Sequence, residues 1–387
     1  VTFSVVAVSL KNKVQAELTD ASGAFYSAED ADSLPHADST HAREGAAYVW
    51  PAAEIDRIFG EDAPVVRRRF GIEDGGNAVM DPHGEFRNLN VLYVAEDIEA
   101  IAARTGRTVD DVMRVLATAR QRLYDARSSR PRPHLDDKIL TSWNGLMIAA
   151  YARAARVLVD SPNRGRWRDA AVAAASAIEA RLWRADTGTV LRRYRDGEAA
   201  IPGFCEDYAC LVWGLLELVE ATGDAHWLTW ARTLMARQRE LFFDETDGGW
   251  FSTSGDDPSV LLRLKEDYDG AEPSAASVTV RNLLALAHLT GDESWRTLAG
   301  RALGRYGAGI GAVARVMPLM LTGLARWHGT PVEIAVAGPR DDARTHALER
   351  AVARTYQPFA VHLPVDPAAA HPLSDALPWL KAMAYEP

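Results

Sequence analysis

The sequence predicts an all-α toroid of antiparallel helical hairpins, the (α/α) type. Three observations predict it: a two-helix unit repeated in mid-chain, an alternation of apolar with amphipathic helices, and an alternation of short with long connections. The first unit runs from Asp136 through Trp143-Asn144-Gly145 into an apolar stretch at 146–151, breaks, and resumes at Trp167. The second starts at Glu206-Asp207-Tyr208, continues through 211–218, breaks at Gly223-Asp224 and resumes at Trp227. The third starts at Asp269-Gly270, carries 283–287, breaks at Gly291-Asp292 and resumes at Trp295. The three tryptophans are 60 and 68 residues apart, a helical-hairpin period.

Within each unit the first helix is apolar nearly all round and suits an inner ring, and the second has a polar face and suits an outer one. Inner-to-outer turns are short, whereas the outer-to-inner connections at 185–204 and 244–272 are long and rich in Gly, Asp and aromatics. In an antiparallel array that alternation collects the long loops at one end, which becomes the candidate site. Residues 20–25, 186–191 and 247–251 each read as a turn flanked by extended residues, a small β-hairpin. Helices are expected at 51–59, 97–104 and 109–127, the last after a Thr cap, with Pro131-Arg132-Pro133 ending that run. The toroid is expected over 1–330, with its first hairpin partly missing and clean repeats from about 134. Residues 331–387 read as a C-terminal β-α-β appendage, in which Gly338-Pro339 lacks the spacing of a nucleotide loop.

At 387 residues, 48% hydrophobic and 25% charged, the chain can bury a large core. Its net charge of −10 repels phosphate backbones and anionic lipid, which argues against nucleic acid as a partner; Arg67-Arg68-Arg69 reads as a solvated helix face. No apolar run reaches membrane length. Residues 1–10 lack the basic start of a signal peptide, so a cytoplasmic location is expected. Cys205 and Cys210, lacking a C-x-x-C spacing, read as reduced thiols.

Four strings carry a resemblance: residues 23–33 (Gly23-Ala24-Phe25-Tyr26 to Ser33), 136–145 (Asp136-Asp137-Lys138 to Gly145), 203–208 (Gly203-Phe204-Cys205-Glu206-Asp207-Tyr208) and 268–274 (Tyr268-Asp269-Gly270-Ala271-Glu272-Pro273-Ser274). In this order they resemble the spermatogenesis-associated, thioredoxin-domain-containing protein family and its bacterial relatives. The resemblance implies a six-hairpin, glycosidase-like toroid similar to that of N-acylglucosamine 2-epimerases and several glycoside hydrolases. It also implies departures. The family's thioredoxin-like domain, its His-Phe-Glu-Lys motif and a late cysteine pair are absent, and Ser274-Ala275-Ala276-Ser277 stands where the family has Ser-Gly-Asn-Ser. An incomplete ring would expose apolar flanks, from which a homodimer or a thioredoxin-like partner chain is expected.

At the long-loop end, Asp136, Asp137, Glu206, Asp207, Asp269 and Glu272 precede or open inner helices. Capping accounts for single acids there, but not for adjacent pairs at two successive helix starts. Paired carboxylates are the equipment of a glycoside hydrolase, one protonating the leaving oxygen while the other activates water or attacks the sugar. Asp137 and Asp207 are the preferred pair, with Glu206 and Asp269 in reserve. Tyr26, Trp50, Trp143, Tyr208, Trp250 and Tyr268 are candidate walls for a carbohydrate ring, and Asn144, Arg263 and Lys265 candidate hydrogen-bond donors. An epimerase would need a base such as histidine; His134 alone lies beside a mouth motif, while His226, His288 and His328 fall in turns or helices. His36, Asp38 and His41 are too irregularly spaced for a metal site, and no cofactor is expected. The alternative is a degenerate barrel that binds a glycan or a protein without turning it over.

Overall fold

A computed structural model describes residues 13–78, 81, 84–367, 371–377 and 379–380; the stretch 1–10 read above for targeting lies outside them. The chain divides into two compact units, Ala28–Asp136 and Val1–Ser27 with Asp137–Pro387. The 331–387 segment falls within the second.

The Ala28–Asp136 unit holds strands β1 (Ala28–Glu29), β2 (Asp32–Ser33) and β3 (Arg43–Glu44), then helices α1 (Ala52–Phe59), α2 (Ala63–Phe70), α3 (Ile98–Thr105) and α4 (Val109–Ser128), and ends in β4 (Leu135–Asp136). The antiparallel β1–β4 pair brings its two ends together. Asp97 and Thr108 cap α3 and α4 by accepting the Ala100 and Asp111 amides at 2.7 and 3.2 Å. Ile55, Val65, Val66, Ile101 and Val112 close the core with no exposed surface. The arginine run forms the end of α2, where Arg67 pairs with Asp56 and Asp74, and Arg68 with Glu96.

The second unit is built on helical hairpins. Strand β5 (Ile139–Leu140) leads into α5 (Thr141–Val157) and α6 (Arg164–Leu182). Then β6 (Trp183–Arg184), β7 (Thr189–Arg195) and β8 (Glu198–Pro202) form a sheet with β5 ahead of α7 (Cys205–Thr222) and α8 (Ala225–Phe242). A long loop precedes α9 (Ala275–Thr290) and α10 (Glu293–Ala312), and a short 3-10 turn leads to α11 (Pro318–His328). Finally β9 (Glu333–Ala337), α12 (Ala343–Ala353) and β10 (Val361–Val365) form the β-α-β, its strands parallel with Val361 opposite Glu333, followed by α13 (His371–Ala376). Helices α5, α7, α9 and α11 pack side by side in that order, and α5, α7 and α9 carry their hairpin partners α6, α8 and α10 outside, as the alternation of apolar and amphipathic sequence requires. The Gly-Asp turns work by division of labour. Gly223 and Gly291 stop α7 and α9 in the left-handed conformation (φ 65° and 69°), and Asp224 and Asp292 cap α8 and α10. The three small hairpins are present as the Thr19–Phe25 bridge, the β6–β7 pair and the Phe243–Trp250 bridge. The strict short/long alternation fails once: α10 reaches α11 across only residues 313–317, where Val316 carbonyl and Met317 hold the turn against Asp269 and α11.

Gly145 explains part of its motif. Helices α5 and α7 approach so closely that a Cβ there would run into the Cys210 carbonyl and lie 2.5 Å from the Leu211 nitrogen, and a Cβ at Gly214 would lie 2.6 Å from the Gly145 oxygen. Trp167 and Trp227 are buried in the outer layer, as expected, and Trp295 packs against the same core. Cys205 and Cys210 are free and fully buried, and burial pushes the Cys205 thiol up to about 12 and Cys210 well above its usual value. Among the described residues no helix is long and apolar enough to cross a membrane.

Candidate functional site

The long-loop end is organised by strand β7. Its antiparallel pairing with β5 sets Tyr194 opposite Ile139 and places Arg192 and Arg195 beside the acids that open α5 and α7. Arg192 binds Glu206 at 2.6 Å and Asp207 at 3.0 Å, and its guanidinium covers the Phe204 ring at 4.6 Å. Arg195 binds Asp137 at 2.8 Å. Three of the four nominated carboxylates are therefore tied to one strand, each by an arginine.

Asp207 has no exposed surface. Its Oδ2 accepts the Phe204 amide at 2.8 Å as well as Arg192, and its Oδ1 accepts the Ser142 amide at 3.2 Å. It caps its own helix and reaches across to the start of α5. Burial pushes its carboxyl up to about 6, against the pull of Arg192 and the donated amides. Asp269 also joins two helix starts: Oδ1 accepts the Ser274 amide and hydroxyl at 2.9 and 3.0 Å, and Oδ2 accepts the Leu319 amide at 2.9 Å. The Ser274 hydroxyl in turn accepts the Ser277 amide at 3.2 Å, so the Ser-Ala-Ala-Ser segment makes a complete cap. Asp136 pairs with Ala28 in the other unit, and Glu272 is exposed.

The nominated binding residues divide sharply. Asn144 is spent on backbone, accepting the Phe25 amide at 2.8 Å and donating to the Phe25 and Leu140 carbonyls. Tyr208 is buried with its hydroxyl accepting the Val190 amide, and Trp250 is buried against Phe243. Arg263 donates to the Thr253 and Leu241 carbonyls, and Lys265 to Asp244, Asp247 and the Gly248 carbonyl. Trp50 is buried in the Ala28–Asp136 unit under the Arg130 guanidinium, 3.9 Å from its ring. These six hold the loops in place. Tyr26 is half-buried near Asp20 and Asp137, and burial with those two charges raises its hydroxyl. Of the nominated aromatics, Trp143 and Tyr268, 39% and 64% exposed, present open surface. His134 lies in the Ala28–Asp136 unit, its carbonyl accepting the Asp30 amide. Among the described residues no group of three or more His, Cys, Asp or Glu is arranged to hold a metal.

A second charged cluster, outside the loops and motifs that carry the sequence signals, lies on the inner helices themselves. Glu217 of α7, only 1% exposed, is bound by Arg153 and Arg156 of α5 and Arg281 of α9, and accepts the Trp213 indole N–H at 3.3 Å. Arg281 also lies over the Trp213 ring at 4.5 Å. Burial opposes ionisation of Glu217, but the three guanidiniums win and hold its carboxyl well below the usual range. Burial brings Arg281 down to about 9, and Arg326 of α11 is lowered for the same reason beside Glu220 and Glu217. Four arginines thus face two glutamates. Arg153 is 50% exposed and Trp213 half-buried, so the cluster has an open side. Trp143 lies on the same helix, ten residues before Arg153, about 15 Å along the axis and about 80° around it. The available signal was an ionisable residue inside an otherwise apolar helix, as in Leu215-Leu216-Glu217-Leu218.

No family model matches the chain. Human spermatogenesis-associated protein 20 is 35% identical over 98% of the chain and 50% of its own length, and an uncharacterised Caenorhabditis elegans protein is 32% identical over 94% and 51%. The chain thus spans about half the length of the curated relatives it matches. Among solved structures, a Bacteroides thetaiotaomicron family 76 glycoside hydrolase described as a mannosidase has a TM-score of 0.36 at 14% identity, covering 65% of this chain and 70% of that one. The cellobiose 2-epimerase of Bacillus thermoamylovorans has a TM-score of 0.37 at 12% identity, covering 43% and 44%.

Proposed function

The chain is a homologue of spermatogenesis-associated protein 20 over one half of that protein, and from this premise we propose a module that binds an acidic carbohydrate rather than one that cleaves it. The observation that supports this reading is the inner-helix cluster of Trp213, Arg153 and Arg281 around Glu217. An indole beside guanidiniums offers a flat apolar surface together with forked donors, and the surplus of arginine favours a sugar that carries a carboxylate. The mouth acids act as fasteners: both oxygens of Asp207 and of Asp269 are occupied by backbone amides.

Calorimetric titration tests the reading. Glucuronate is expected to bind at least tenfold more tightly than glucose at equal ionic strength, and Trp213→Ala to weaken glucuronate binding about tenfold, or about 1.4 kcal/mol. Equal affinity for the two sugars, or binding indifferent to Trp213→Ala, sinks it. A hydrolytic reading has one observation in its favour, the Asp207 carboxyl pushed up to about 6, as a general acid requires. Release of nitrophenol from nitrophenyl glucuronide by the unaltered chain, abolished in a folded Asp207→Asn variant, would replace binding by hydrolysis.

A further inference from the structure

A cavity of about 250 Å³ lies at the opposite, short-turn end of the hairpins, between the ends of α5 and α7, the start of α6, and the β-α-β segment. None of the acids at the mouth contributes to it. Arg156, Arg164, Arg168, Arg340, His346 and His362 bring polar hydrogen to its wall. The first four are anchored: Arg156 by Glu217 and Glu220, Arg164 by Glu349 at 2.8 Å and the Ala155 carbonyl at 3.0 Å, Arg168 by Asp169 at 2.9 Å, and Arg340 by the Thr222 carbonyl. A guanidinium has five N–H donors in a fixed fork, so one or two anchors orient it and leave donors over for a ligand.

Two further features point to a ligand. The His362 Nε2 is buried without a hydrogen-bond partner, and a buried polar atom left alone is costly unless something meets it. Burial and the neighbouring Arg156 bring this imidazole down to about 4, so it is neutral near pH 7 and offers one donor and one acceptor. The 19-residue helix α6 begins at the cavity with no side-chain cap from Asn163, and its Gly165 has open space where a Cβ would be. Its start therefore presents backbone donors and the positive end of the helix dipole. The acids Glu220, Asp341 and Glu349 also line the wall, and Glu220 and Glu349 are engaged by Arg156 and Arg164. Val336, Val352 and Leu363 make the rest of it apolar. The volume lies below the range of about 300–1,000 Å³ that holds drug-sized molecules.

We propose that this cavity binds a small organic anion, a carboxylate or phosphate ester carrying a short apolar body, with the charge at Arg168, Arg340 and the α6 start and the body against Val352 and Leu363. The site is distinct from the inner-helix cluster, with which it shares Arg156 and Glu220. Phenyl phosphate and benzoate are the probes, titrated calorimetrically into the full chain at constant ionic strength, with inorganic phosphate as reference. Phenyl phosphate or benzoate is expected to bind at least tenfold more tightly than inorganic phosphate. Arg168→Gln and His346→Ala should each weaken the tighter probe about five- to tenfold without lowering the unfolding midpoint. In the unaltered chain the His346 ring resonances should move during the same titration, a readout that does not depend on any variant folding. The proposal is overturned if neither aromatic anion binds better than inorganic phosphate, if the His346 resonances stay still, or if both folded variants bind as the unaltered chain does. Because glucuronate binding is tested at Trp213, loss of one site leaves the other intact.

Discussion

Replacing Glu217 by alanine is expected to lower the unfolding free energy of the hairpin unit by about 3–5 kcal/mol, read as the shift in a urea titration followed by tryptophan fluorescence at pH 7. The carboxylate is the common anchor of Arg153, Arg156 and Arg281, which come from the inner helices on either side of α7, and its side chain is almost wholly withdrawn from water. Its removal leaves three guanidiniums facing one another with Glu220 as the remaining counter-charge. The pH dependence follows from the sign of the shift. A carboxyl lowered on folding contributes stability that is present above its unfolded value, about 4.3, and lost as pH falls through the folded one. The gap between variant and parent should therefore be constant from pH 7 to 5 and narrow only in stronger acid. A loss below about 1 kcal/mol would mean that the cluster is solvated and not structural.

The second large effect is expected at Gly145. Alanine there is the smallest change available, yet the added methyl meets backbone on α7, which cannot rotate away as a side chain could. Overpacking of this kind costs about 1–3 kcal/mol and more when backbone must shift. The expected result is a loss at or above the upper end of that range, measured by the same titration. Gly214→Ala presses on the same contact from the other side, so the double variant should lose less than the sum of the two. A Gly145→Ala chain as stable as its parent would show that α5 and α7 have room to separate.

The fold was legible because its signals are local and periodic. Leu211-Val212-Trp213-Gly214-Leu215 is apolar all round, while α8 alternates Leu228, Ala231 and Leu234 with Arg232 and Arg237, so the inner and outer roles follow from composition alone. Gly223-Asp224 and Gly291-Asp292 encode stop and start in two residues. The site was less legible, for a physical reason. Asp207 lies in the first turn of α7, and Asp137 and Asp269 lie ahead of α5 and α9, but which hydrogen bonds consume a carboxylate depends on residues far away in the chain. The Ser142 amide and Arg192 hold Asp207, and the Leu319 amide holds Asp269. Trp50 and Trp250 show the same difficulty, since an aromatic in a loop carries no local sign of whether its ring is covered. Glu217 carries its signal within its own helix, since a lone acid in an apolar helix is a stronger anomaly than an acid at a helix start.

The buried thiols have a use that neither packing nor binding suggests. Only a thiolate reacts readily with iodoacetamide. Cys205 is held protonated at the first turn of α7, with Gln238 of α8 donating to its sulfur at 3.2 Å and to Thr279 of α9 at 2.8 Å, while Cys210 lies at the Gly145 crossing. Alkylation of either sulfur must wait until the inner helices part. The chain therefore carries its own clock: the rate of modification at Cys205 times the opening of the α7–α8–α9 junction, and that at Cys210 the opening of α5 from α7, each readable by mass from unaltered protein.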